Sequence, residues 1–423
     1  MDADVTPHYL SPVWTHLTRT PMVRGSGCWL TDANDEQWLD LTSGIGVLNT
    51  GHCHPKVVSA VRQQLDQLVF SQINCGLPLV TAALAERLHA ITPASINRFF
   101  FANSGAEATE AAIKLAKHAT GRPNVIVLQG SFHGRTHLTM AMTTSKKVYR
   151  QGYQPLPAGV FVTPFPDARL FDGDEDRAVA WATCQFSDLL AAQTAPSETA
   201  AFIVEPVLGE GGYKRVPTAF LRAAREICRA HGILFIADEV QSGFGRTGTF
   251  FCFEQADIDP DVIVMAKGLG SGMPISAVGA SNNLMEHWIP GTHGGTYGGG
   301  NALAMASARA TIDVIEEERL CDRAQQLGAY LVSALQHRLG GRPGVAEVRG
   351  LGLMVAIECE PAEGMTATAI AASLQQALLE ARILVLTCGT YGHVLRLIPP
   401  LVVTQEELDL ALDVLVHALA SIH

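Results

Sequence analysis

Long apolar runs, clusters of basic residues and paired cysteines are all missing from this chain of 423 residues. The longest apolar stretches fall well short of the roughly 20 residues that cross a bilayer, so no membrane span is expected. Net charge is −11 with no block of Lys or Arg, which argues against nucleic acid or an anionic membrane as partner. Nine cysteines stand singly, without a Cys-x-x-Cys pair, the pattern of reduced thiols and not of a disulfide framework. The opening MDADVTPHYLSP has neither a basic nor an apolar signal region; no secretory signal is expected, and a cytoplasmic location is. His52, Cys53 and His54 crowd together in GHCHP. Neighbours that close do not easily converge on one tetrahedral metal, and no second cluster completes a site. The stretch reads as a loop, and no metal is expected.

What the chain does have is apolar bulk, 48% of its residues, and a length that calls for a large unit plus a smaller one. From about residue 98, short apolar segments alternate with helical ones: RFFFANS, NVIVLQG, GVFVTPFP, AAFIVEPV, ILFIADEV, DVIVMAKG and SAVGAS. Strands apolar on both faces, separated by helices, predict an α/β unit with a mostly parallel sheet sandwiched by helices. Beyond Gly300 the pattern predicts one bent helix or two over NALAMASARATIDVIEEERLCDRAQQLGAYLVSALQHRL. A strand (EVRGLGLMVAIEC), a helix, a strand (HVLRLIPPL) and a last helix capped by Thr404 and Glu407 come after it. The expected division is 1–55 as an N-terminal segment packing with the small unit, 56–300 as the large α/β unit, and 301–423 as a small α+β unit.

Sites in such sheets lie at the carboxyl ends of the strands. After RFFFAN comes Ser104-Gly105-Ala106-Glu107, leading into a helix with Glu110 and Lys114 at pairing distance. Ser104 and Glu107 make a capping box, and the free N–H groups of a helix start also suit a phosphate. Phe132, His133 and Arg135 come after the second strand; a ring there either packs or stacks on a flat heterocycle. Glu205 and Glu210 sit on a glycine-rich loop after AAFIV, and Asp238 ends ILFIA. An acid ending a buried strand needs a partner. Gly243-Phe244-Gly245-Arg246-Thr247-Gly248 spells G-x-G-x-x-G, but the adjoining TFFCFEQADIDPDV is too short and too broken by Pro260 for a crossover helix, so a dinucleotide site is not expected. Lys267 ends the apolar DVIVMA, beside Gly268, Gly270 and Gly272. A strand-end lysine ordinarily snorkels to water. One cofactor uses all these parts together, pyridoxal 5′-phosphate: a lysine to bond it, an acid at its ring nitrogen, a helix start for its phosphate and an aromatic for its ring.

The ordered set NSGAEATEAAIKLA, GSFHGRT, EPVLGEGG, ADEVQSGFGRTG, AKGLGSGMPISAV, GGTYGGGNALA and LRLIPPL resembles the class III pyridoxal-phosphate aminotransferases of fold type I, and most of all the 4-aminobutyrate aminotransferases. The resemblance implies that Lys267 bonds the cofactor and Asp238 pairs with its ring nitrogen. Gln241 would bond the ring hydroxyl, with Val240 and Phe132 on the two ring faces and His133 beside them. Ser104, Gly105 and Ala106 would hold the phosphate, joined by Thr296 of a neighbouring subunit, so a homodimer or a tetramer is implied. Arg396 would grip an α-carboxylate, Glu210 would neutralise it when there is none, Arg135 would hold a distal carboxylate, and Ile45 would line the entrance. Leu208 departs from the family, whose members commonly carry Gln there. The implied activity moves an amino group from an ω-amino acid to a keto acid such as 2-oxoglutarate by a ping-pong route. Ornithine- or acetylornithine-type transamination, simple-amine transamination, and racemisation or epimerisation use the same parts. A nicotinamide dehydrogenase and a non-catalytic cofactor-binding regulator are the rivals from other classes.

Overall fold

The computed structural model describes residues 9–421. Its centre is a seven-stranded sheet in the order Arg98–Ala102, Ser276–Ala280, Val262–Met265, Leu234–Asp238, Thr199–Val204, Asn124–Leu128, Val160–Thr163. Only Ser276–Ala280 runs against its neighbours; the other pairings are parallel. All six residues of Thr199–Val204 and all four of Val262–Met265 are buried. Successive residues point to opposite faces: Val125, Val127, Ile203, Ile236 and Val264 join one core, while Ile126, Phe202, Phe235 and Ile263 join the other. The helix Gly105–Thr120 covers the first face with a stripe of alanines, and Glu175–Ala192 and Thr218–His231 cover the second.

A four-stranded antiparallel sheet is formed from Val345–Leu351, Met354–Cys359, Val394–Leu397 and Leu386–Cys388. The N-terminal strands Met22–Ser26, Trp29–Asp32 and Gln37–Asp40 form another sheet, which Ile383–Leu384 completes by parallel pairing with Gln37–Asp40. The segment after Gly300 is two helices, Ala302–Glu317 and Leu320–Leu339, broken at Arg319, whose φ is +52°. The single strand expected over 347–359 is instead a hairpin that turns at Gly352. There φ is +53°, and a Cβ would stand 2.5 Å from the Arg246 carbonyl oxygen. Its apolar run had masked a turn that only glycine fits.

Candidate active site

The carboxyl ends of the parallel strands open into a cavity of about 460 Å³. Three residues of register separate its two main charges: Asp238 faces Val264 across the Leu234–Asp238 and Val262–Met265 pair, and Lys267 follows Ala266. Lys267 takes a left-handed φ of +43°, uncommon for a side-chain-bearing residue and a mark of a constrained site. The glycines around it permit close packing: a Cβ on Gly268 would lie 2.4 Å from the Asn49 amide nitrogen, and one on Gly270 2.3 Å from the Met273 carbonyl oxygen. The glycines thus belong to a tightly packed loop.

Ser104 caps the helix Gly105–Thr120 in a capping box with Glu107. Gly105 and Ala106 line the cavity, and first-turn N–H groups have no acceptor within the helix. A Cβ on Gly105 would come within 2.9 Å of Val240 Cγ1, so this glycine lets the helix start approach that wall. Across the cavity, Glu205 accepts from the Phe132 N–H at 2.7 Å and the Gly209 N–H at 3.0 Å, locking the two loops together. Burial holds its carboxyl above the usual range, with His133 opposing.

Ionisable side chains set the field. The Asp238 carboxylate meets His133 Nδ1 at 2.7 Å and accepts from the Val240 N–H at 3.1 Å. Burial works against the His133 cation, but Asp238 holds its pKa above the ordinary value. Burial lowers Lys267 to about 8, so its amine is readily uncharged. Glu210 lies on the cavity wall with Arg396 Nη1 at 2.5 Å behind it. Burial alone would raise Glu210; the guanidinium brings it down to about 2. The Tyr149 hydroxyl donates to Glu210 Oε2 at 2.9 Å, and the Arg135 guanidinium lies 4.7 Å from the centre of the Tyr149 ring.

Ser104, Gly105, Ala106, Phe132, His133, Arg135, Glu210, Asp238, Val240, Gln241 and Lys267 thus line one cavity. Arg396 is not in the lining but is bound to Glu210, which is. Ile45, 43% exposed, and the exposed Thr296 lie outside the lining. The expected Glu110–Lys114 pair does not form: Glu110 accepts from the Thr136 hydroxyl and the Leu138 N–H, while Lys114 meets His293. Glu110 caps the next helix, a tertiary partner that outweighs its intrahelical neighbour. His52 bonds Asp40 and His54 bonds Glu318. The G-x-G-x-x-G stretch is a run of turns with no helix opening from it; its Arg246 is fully buried and donates to the Leu353 and Pro399 carbonyls and to Asn49. Tyr149 and Lys146, both near Glu210, carried no motif in the sequence.

The class III aminotransferase family model matches residues 10–419, and the chain belongs to that family of enzymes. It is 37% identical over 410 residues to a probable 4-aminobutyrate aminotransferase of Bacillus subtilis, covering 94% of this chain and 92% of that one. It is 38% identical over 407 residues to an acetylornithine aminotransferase of Methanothermobacter thermautotrophicus, covering 96% and 95%. Its structure superposes with a TM-score of 0.91 on an amine transaminase from an uncultivated Pseudomonas species in its PLP-bound form, at 29% identity and over 98% of this chain and 99% of that one. The fold is that of the fold type I transferases, and the enzymes of this family depend on pyridoxal phosphate.

The residues present fit that cofactor. Gln241 Oε1 and His133 Nε2 are buried without a partner, and such atoms ordinarily find one. Phe132 and Val240 both line the open cavity, and Gly105 at the helix start has no side chain to stand in the way of a phosphate.

Proposed function

We propose that this aminotransferase takes the amino group of an ω-amino acid, with 4-aminobutyrate the favoured donor, and gives it to a keto acid such as 2-oxoglutarate in a ping-pong cycle. The observation that carries the reading is Glu210 on the cavity wall, 2.5 Å from the Arg396 guanidinium that it covers. A terminal amine has no carboxylate on its reacting carbon, and a buried bare guanidinium there would be costly. The ion pair presents a neutralised wall to such a donor. Arg135, at an exposed edge of the same cavity, is placed for the donor's distant carboxylate. A keto acid with an α-carboxylate would displace Glu210 and pair with Arg396, so one cavity serves both halves.

The assignments for the cofactor are part of this proposal. Gly105 and Ala106 N–H groups and Ser104 would hold the phosphate, Phe132 and Val240 would contact the ring, and Gln241 Oε1 would accept from the ring hydroxyl. Asp238, steadied by His133, keeps the ring nitrogen protonated. Bound pyridoxal phosphate supplies the electron sink for the bond broken at the amine carbon. Lys267 would hold the cofactor, and its uncharged Nζ would serve as the base that moves the proton of the donor carbon. Thr296 would reach the neighbouring subunit's phosphate, which makes a homodimer the working unit. The boundaries 1–55, 56–300 and 301–423 and a cytoplasmic location belong to the same reading.

The acetylornithine aminotransferase relative keeps an acylated diamino acid, whose free amine is likewise terminal, as the second reading. Purified enzyme with the cofactor, 4-aminobutyrate and 2-oxoglutarate is expected to release glutamate and succinic semialdehyde. Turnover of N-acetylornithine with none of 4-aminobutyrate would replace the first donor by the second; interconversion of enantiomers without amine transfer would establish a racemase.

A further inference from the structure

Glu210 faces two cations. Its Oε1 is bound by Arg396 Nη1 at 2.5 Å, while its Oε2 lies 3.8 Å from Lys146 Nζ and accepts from the Tyr149 hydroxyl at 2.9 Å. Lys146 is largely buried, with 17% of its side chain exposed. Among the described residues Glu210 is its only carboxylate within ion-pair range. A mostly buried ammonium held at the edge of contact by one carboxylate is an arrangement with room to tighten. The loop that carries it, beginning at Thr143, is anchored by Thr144, whose hydroxyl accepts from the Gly130 and Ser131 N–H groups.

We propose that Lys146 is the second seat of the Glu210 carboxylate. When an α-carboxylate takes Arg396, Glu210 turns onto Lys146 Nζ, with the Tyr149 hydroxyl keeping hold of Oε2 during the exchange. This rests on the proposed roles of Glu210 and Arg396 in the two half-reactions. Its physical basis is that Glu210 is only 9% exposed. Pushed off Arg396 with nowhere to go, it would stay as a buried, uncompensated charge and oppose binding of the keto acid. A cation already beside it removes most of that opposition. Lys146 is then a positioning residue for the keto-acid half of the cycle, silent when the donor carries no α-carboxylate.

The test uses the cofactor-loaded enzyme. The aldehyde form of the cofactor does not react with a keto acid, so the Kd of 2-oxoglutarate is measured on it directly, alongside the single-turnover rate with 4-aminobutyrate. Lys146→Met is expected to weaken 2-oxoglutarate about tenfold or more and to change the 4-aminobutyrate rate by less than about threefold; Lys146→Arg is expected to restore binding. A general packing defect would depress both measurements together, and that outcome, or unchanged 2-oxoglutarate affinity, overturns the proposal. In crystals soaked with 2-oxoglutarate, Glu210 is expected within hydrogen-bond distance of Lys146 Nζ; a Glu210 turned to solvent overturns it as well. If wild-type enzyme takes no amine from 4-aminobutyrate, the donor reading fails alone, because the Kd series still decides the role of Lys146.

Discussion

Glu210 and Arg396 form a pair whose two members favour opposite substrates. Glu210→Gln leaves the guanidinium without its counter-charge behind the cavity wall. Loss of one partner of a buried ion pair costs a few kcal/mol. The 4-aminobutyrate half-reaction is therefore expected to slow about ten- to a hundredfold, while 2-oxoglutarate binds more tightly. Stopped-flow measurement of the two half-reactions checks this; parallel losses in both would reduce the pair to a structural ion pair. At Lys267 the pH dependence has a definite sign. Folding lowers its pKa from 10.5 to about 8 through burial, so the unfolded chain holds the proton over a range where the folded chain has released it. Cofactor-free protein thus loses stability as pH falls from about 10.5 to about 8, and the whole penalty, about 3 kcal/mol at most, is present below that. Cofactor-free Lys267→Met is expected to resist urea better than wild type at pH 7, with the advantage shrinking below about 1 kcal/mol at pH 10. An equal difference at both pH values would mean that Lys267 is not depressed. Lys267 and Asp238 were legible in the sequence because both end apolar strands beside the other parts that one cofactor uses together. Glu210 was visible as a carboxylate on a glycine-rich loop, but Arg396 needed the family resemblance, since an arginine in LRLIPPL has no local peculiarity. Lys146 and Tyr149 stayed hidden because only tertiary folding brings their loop to Glu210.

The helix Gly105–Thr120 shows how one element serves both fold and site. Its buried alanines press it against the sheet, Gly121 ends it at φ +68°, and Ser104 and Glu107 cap its start. These features follow from spacing and residue type, which is why the capping boxes here and at Thr404 with Glu407 were readable. The hairpin at Gly352 was not, because its turn glycine lies in an unbroken apolar run and its need is set by Arg246 from another segment. Gly105→Ala separates the helix from the site. Alanine favours the helix by up to about 1 kcal/mol, which offsets only part of the strain its Cβ brings, so cofactor-free stability should fall by no more than about 2 kcal/mol. The added Cβ, 2.9 Å from Val240 Cγ1, must move a β-branched side chain on the cavity wall, and such overpacking costs about 1–3 kcal/mol. Cofactor affinity is expected to fall about tenfold. A cofactor titration with the same Kd as wild type would remove Val240 from the ring-binding wall.

At the scale of the molecule, the segment 68–81 and the segment 289–301 share a surface. Ser71 N–H donates to the Gly300 carbonyl, the Thr81 hydroxyl to the Gly299 carbonyl, and the Phe70 and Tyr297 rings lie 5.5 Å apart. Leu77, Leu79, Ile289 and Tyr297, on these two paired segments, are each 60–85% exposed, and exposed apolar side chains gathered on one surface favour an interaction face. Thr296 stands beside Tyr297, outside its own chain's cavity lining. A second copy covering this face would hide the apolar side chains and could carry each Thr296 to the other copy's phosphate site. Light scattering is expected to give a dimer or a multiple of it. Because Leu77 and Leu79 are exposed in the single chain, replacing both by Glu should leave the fold intact while placing charges where the partner would sit. The variant is expected to run as a monomer with a native circular dichroism spectrum and to bind the cofactor at least about tenfold more weakly, the loss of one hydrogen bond to a charged group. A monomeric variant that kept full cofactor affinity would show each cavity to be complete in itself and would remove Thr296 from the site.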